Sequence, residues 1–144
     1  MSSKRFTLHH VTRRFARLLV LGAALSAPAA LAASADLADL AAKPGNYLGQ
    51  EVEVVGYCVK GGVKGNVLGY ECITEGTVRV TADDIEPATA KEKLDVGCNG
   101  ADAAQSEACR VTLRFEPHSY TTSSVIEPGK DIVVLNAKKA VVSF

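Results

Sequence analysis

The sequence holds no C-x-x-C pair, no G-x-S-x-G elbow, no phosphate-binding loop and no dinucleotide fingerprint. Each absence removes a class of chemistry: thioredoxin-like thiol exchange, α/β-hydrolase catalysis, and nucleotide binding through those loops. No internal repeat or low-complexity tract is present, which argues against a solenoid or a disordered array. Long apolar runs are missing too. The longest near the start, Leu18 to Leu25, is followed closely by Pro28, whereas a spanning helix wants roughly 20 apolar residues.

That short run has the anatomy of an export leader. Lys4, Arg5, Arg13, Arg14 and Arg17 make a basic region without a single acid, the apolar segment follows, and Ala30-Leu31-Ala32 supplies the small residues a signal peptidase reads. Residues 1–32 are therefore expected to be a signal peptide and 33–144 one mature domain, periplasmic or secreted. Arg13-Arg14 hints at twin-arginine export, but Ala16 stands where that signal wants a hydrophobic residue, which favours the Sec route. No cysteine lies near the cleavage site to carry a lipid, and no stable membrane insertion is expected after cleavage.

Removing the leader changes the charge. The whole chain is formally neutral, with sixteen basic and sixteen acidic residues. The leader takes five of the basic ones, so the mature part is left with a formal charge of −5. Such a domain has no general attraction to phosphate backbones or anionic membranes, so nucleic acid is not an expected partner. His9 and His10 leave with the leader, and His118 is the one histidine remaining. About 112 residues suffice for one core and not for two domains.

All four cysteines, Cys58, Cys72, Cys98 and Cys109, fall in the exported part. An even count in a small exported domain reads as two disulfides, for which three connectivities exist. Cys58–Cys72 with Cys98–Cys109 is the favoured pairing. The midpoint of the first pair, near Gly65-Asn66, suits a turn that would set the cysteines opposite each other. The second pair closes a loop with little apolar content of its own. Each bridge is worth about 3 kcal/mol in the chain-entropy model. Structural zinc usually wants two close cysteine pairs, and these separations are long and irregular, so no metal is expected.

Along the mature chain, Asp36 to Ala42 has helical spacing and stops at Lys43-Pro44-Gly45. Glu51 to Lys60 alternates as a strand, with Gly56 as a candidate bulge or bend. Val67 to Thr74 returns, and Thr77 to Thr81 alternates with its valines inward. Asp83 to Leu94 reads as a short helix capped by Asp84 and ended by Gly97. Arg110 to Phe115 is the clearest alternating strand, with Val111, Leu113 and Phe115 on the face of Cys109. Thr121 to Ser124 reads as loop, Pro128-Gly129-Lys130 as a turn, and Asp131 to Asn136 as a strand that Val141 to Ser143 continues or supplements.

The fold class expected is mainly β. The order of three strands, helix, two strands resembles the OB-fold, a five-stranded barrel with one short helix between its third and fourth strands. The opening Tyr47-Leu48-Gly49-Gln50-Glu51-Val52-Glu53-Val54-Val55-Gly56 is similar to that of bacterial periplasmic OB-fold proteins, and the resemblance runs over residues 46 to 144. The chain departs from nucleic-acid-binding relatives in its charge and its cysteines. It also lacks the His-x-x-x-Tyr spacing of the periplasmic haem chaperone, having His118-Ser119-Tyr120 instead. A small β-sandwich is the alternative architecture.

The resemblance implies binding through the face of strands two and three, where Tyr70 and Arg79 would lie; Tyr57 and Arg114 complete the candidate binding residues. Aromatic and guanidinium groups suit planar, sugar or peptide ligands. Asp83, Asp84 and Glu86 read as a solvated helix cap rather than a calcium cluster. His118 has neither a nucleophile nor an orienting partner nominated beside it. The expected function is a non-enzymatic exported module, without cofactor, for a protein, peptide or saccharide of the cell envelope. The alternative is a small periplasmic hydrolase or lyase using His118.

Overall fold

A computed structural model describes residues 33–144; the expected signal peptide lies outside the described residues. In chain order the elements are β1 (Ala33–Ser34), α1 (Leu37–Ala42), a 3-10 turn (Pro44–Tyr47), β2 (Val52–Lys60), β3 (Tyr70–Thr74) and β4 (Val78–Glu86). There follow α2 (Ala88–Gly97), two 3-10 turns (Ala101–Gln105 and Glu107–Cys109), β5 (Arg110–Phe115), β6 (Ser119–Glu127) and β7 (Lys130–Ser143). Hydrogen bonding runs β2–β3–β4–β7–β5 and returns from β5 to β2, which closes a five-stranded barrel. Four of its five pairings are antiparallel and β4–β7 is parallel, with α2 between the third and fourth barrel strands. This is the OB-like architecture, with β6 added outside on β7 and the two-residue β1 beside β2.

Strand β2 closes the ring because two partners share it. Val52 to Tyr57 pair with β5, and Gly56 to Lys60 pair with β3. Both registers run through Gly56 without interruption, so the expected bulge is absent. Val52, Val54 and Cys58 stay buried with Gly56 on one parity. The glycine instead marks a close approach of backbones, since a Cβ there would sit 2.7 Å from the Ile73 carbonyl oxygen.

The core is built by alternation. Val78, Val80 and Ala82 of β4, Val111, Leu113 and Phe115 of β5, and Val133, Leu135 and Ala137 of β7 all point inward. Leu40 of α1 and Leu94 of α2 join the same cluster. Asp36 caps α1 by accepting the Ala38 N–H at 2.9 Å. Two bridges staple the barrel: Cys58–Cys72 lies across the β2–β3 ladder, where these residues are register partners, and Cys98–Cys109 ties the end of α2 to the start of β5.

Three local expectations are corrected. Asp83 to Glu86 are strand, not the first turn of a helix, and α2 starts at Ala88 after Pro87 with no side-chain cap. Asp84 pairs with Lys91 at 2.5 Å and sits opposite Lys139 in the ladder. Its acidity is reinforced because the Lys91 ammonium holds the carboxyl below the usual range. Inward alternation also shifts by one residue at Asp83-Asp84 and at Lys138-Lys139, where β7 leaves β6 and takes up β5 as its neighbour. Thr121 to Ser124 belong to β6 rather than to a loop, and the returning strand begins at Tyr70 rather than Val67.

Candidate functional site

A groove of about 320 Å³ lies on the outer face of β3, β4 and β7. With the β4 valines inside, Arg79 and Thr81 must point out and form the floor. Register then aligns Thr81 with Glu71 of β3 on one side and Asn136 of β7 on the other. It sets Arg79 beside Val134 in the same way. One wall is the β2–β3 loop, through Lys64, Asn66 and Val67, and the other is the end of β6, through Ser123, Val125 and Ile126.

Both walls have local causes. The loop is closed by the Gly61 N–H donating to the Gly69 carbonyl at 2.7 Å and the Val67 N–H donating to the Gly61 carbonyl at 3.0 Å. Gly69 has φ +102°, and a Cβ there would come within 2.4 Å of the Ala82 carbonyl oxygen, so only glycine fits. β6 pairs with β7 in register from Ser119 to Ser123, then again only at Glu127 opposite Lys130. Between those points Ser124, Val125 and Ile126 face Asp131 alone. This bulge brings Val125 and Ile126 to the groove, and Val125 is 84% exposed.

The floor carries an ion triad. Arg79 donates to Glu71 Oε1 at 2.7 Å and to Glu127 Oε1 at 3.1 Å. The two carboxylates differ. Glu71 is buried, and its second oxygen accepts the Val63 N–H at 3.0 Å, so both oxygens are engaged inside the structure. The Glu127 side chain is 38% exposed and also accepts from Lys130 at 3.1 Å. Lys130 first, and Arg79 second, hold the Glu127 carboxyl below its ordinary range. Beside the triad, the Thr81 hydroxyl donates to Asn136 Oδ1 at 2.7 Å.

The four candidate binding residues are not brought together. Arg79 alone lies in the groove. Tyr70 shares the inward parity of Cys72 and is 3% exposed, so the expectation that it would stand on one face with Arg79 is corrected. Its hydroxyl donates to the Asp95 carboxylate of α2. Burial, and then that carboxylate, push the phenol far above its ordinary pKa. Tyr57 and Arg114 occupy the outer surface of β2 and β5. Tyr57 donates to Glu107 at 2.7 Å, and Arg114 stands between Glu53 and Val141 in the ladders. Glu71, Thr81, Ser123, Val125, Ile126 and Val134 were not anticipated; the one available signal was the outward parity of Thr81.

His118 is exposed in the link between β5 and β6, where its backbone N–H donates to the Asn136 carbonyl at 2.9 Å. Among the described residues its side chain enters no hydrogen bond or ion pair with another side chain, and no cluster of three metal-ligating residues is assembled. Nor is any described helix long and apolar enough to cross a membrane.

No family model, no curated protein and no solved structure matches the chain. Fold and site therefore rest on the geometry above.

Proposed function

We propose that this chain is a non-enzymatic exported binding module that holds a protein, peptide or saccharide of the cell envelope in the groove over β3 and β4. The observation that carries the reading is where the groove lies. OB-type barrels take ligands on the face of their second and third strands, between the loop joining strands one and two and the loop joining four and five. Here β3 and β4 are those strands, Lys64 to Val67 belong to the first loop, and β6 lies in the second. The volume is at the lower end for ligand pockets, which fits a short segment of a larger ligand. Two disulfides suit an oxidising compartment, and the periplasm is the destination that the basic and apolar leader favours.

The test is retention of ligands from a periplasmic extract by immobilised protein, purified after expression of the full chain. Ser123→Tyr fills the groove from its β6 wall, and Thr112→Tyr places the same ring on the outer surface of β5. The reading expects a ligand that the wild type and Thr112→Tyr retain and Ser123→Tyr loses. A ligand lost equally with Thr112→Tyr, or turnover of an envelope substrate that His118→Ala abolishes, contradicts it.

A further inference from the structure

We infer that the groove takes the apolar C-terminal residue of a peptide, its carboxylate replacing Glu127 on Arg79. The inference rests on the groove reading above and narrows its ligand.

The apolar part of the lining, Val67, Val125, Ile126 and Val134, shares the groove with Arg79, and Val134 is its register partner on β7. The site thus offers an aliphatic surface and a guanidinium within one small volume. A ligand that satisfies both has an aliphatic group a few bonds from an anion, which is the chemistry of a C-terminal aliphatic residue. Asn66 and Ser123 on the two walls supply polar groups suited to peptide amides. Among the described residues no aromatic ring lines the groove, so they offer no stacking surface of the kind a sugar ring uses.

Glu71 and Glu127 divide the work of holding Arg79 in its charged, outward pose. Glu71 is fixed, because its other oxygen is held by the Val63 N–H and the residue is buried. Glu127 is exchangeable: it is half-exposed, it follows the β6 bulge, and Lys130 offers it a second partner when it leaves Arg79. The Glu127 end of the pair is open to solvent although Arg79 is largely covered; an ion pair with one solvated partner is a weaker competitor than a buried one, so an incoming carboxylate can displace it. The Arg79 Nη2 donor that Glu127 gives up forms a charge-assisted bond to a carboxylate that is stronger than one to a neutral acceptor, while Nη1 stays with Glu71. Lys64 at the rim adds long-range attraction for the same charge. An anionic ligand also suits a site that contributes its own anion in the ligand's absence.

The probe is an N-acetylated tetrapeptide ending in leucine, prepared as the free acid and as the C-terminal amide. Binding is measured by calorimetry on the purified protein. The free acid should bind roughly tenfold more tightly than the amide, given the strength of charge-assisted pairs. Glu127→Gln removes the internal competitor and should tighten the acid up to about fivefold while leaving the amide unchanged. Weaker binding of the acid by Glu127→Gln, or no binding of the acid to the wild type, overturns the inference. Equal binding of acid and amide that Ser123→Tyr abolishes also overturns it, but leaves the groove reading standing. Binding that Ser123→Tyr leaves intact counts against both.

Discussion

Replacing Tyr70 by phenylalanine removes the buried one of the polar links between the barrel wall and α2, leaving the Lys60–Asp95 and Asp84–Lys91 ion pairs in place. The ring is 3% exposed and keeps its packing in the variant, so little apolar burial changes. What is lost is the hydroxyl's bond to the Asp95 carboxylate. A hydrogen bond to a charged group contributes about 1.5–3 kcal/mol. Asp95 retains Lys60 at 3.1 Å and is not left as an orphaned charge, so the low end applies, about 1.5 kcal/mol. The pair also sets a pH signature. Tyr70 first, and Lys60 after it, hold the Asp95 carboxyl below its ordinary value. A depressed carboxyl contributes stability that is present above its unfolded pKa, near 3.9, and is lost as pH falls through the lower folded value. Tyr70 is raised, so its contribution is complete below about pH 10 and is lost as pH rises through the higher folded value. Urea unfolding from pH 2 to pH 11 should show both limbs in the wild type, and Tyr70→Phe should flatten the alkaline limb and shrink the acid one. A Tyr70→Phe variant within about 0.5 kcal/mol of wild type, or with an unchanged alkaline limb, would refute the coupling.

Phe115→Ala, which empties a fully inward position on β5, should cost roughly 3–5 kcal/mol in urea unfolding; a cost under about 1 kcal/mol would remove Phe115 from the core. Gly56→Val forces apart the two backbones that meet at Ile73 and should cost at least about 1–3 kcal/mol, with loss of amide protection concentrated in the β2–β3 ladder. An unchanged exchange pattern would contradict the close approach. His118→Ala should leave stability within about 0.5 kcal/mol, as expected of an exposed loop residue.

How much of this was legible from residues alone follows from where each element faces. β5 alternates Val111, Leu113, Phe115 against Arg110, Thr112, Arg114 because one side meets the core and the other meets water, so its pattern survives in one dimension. β6 carries no such record. It lies outside the barrel, paired only through β7, and Thr121, Thr122 and Ser124 are exposed without an apolar counterface. Asp83 to Glu86 imitate a helix cap because their charges are balanced across space, by Lys91 on the following helix and by Lys139 on a strand more than fifty residues away. Gly56 announced a special backbone position, but whether it meant a bulge or a close approach depended on Ile73 of the neighbouring strand. The groove was the least legible feature. Its residues come from β3, β4, β6, β7 and one loop, and only Arg79 among them had a side chain that attracts notice.

The most direct measurement is a map of backbone amide shifts as the purified protein is titrated with peptide and glycan fractions of the cell envelope. The account predicts shifts clustered at Lys64, Arg79, Thr81, Ser123, Ile126 and Val134, with Glu53, Thr112 and Arg114 unmoved. Shifts centred instead on Tyr57, Thr112 and Arg114, or on the surroundings of His118, would contradict it.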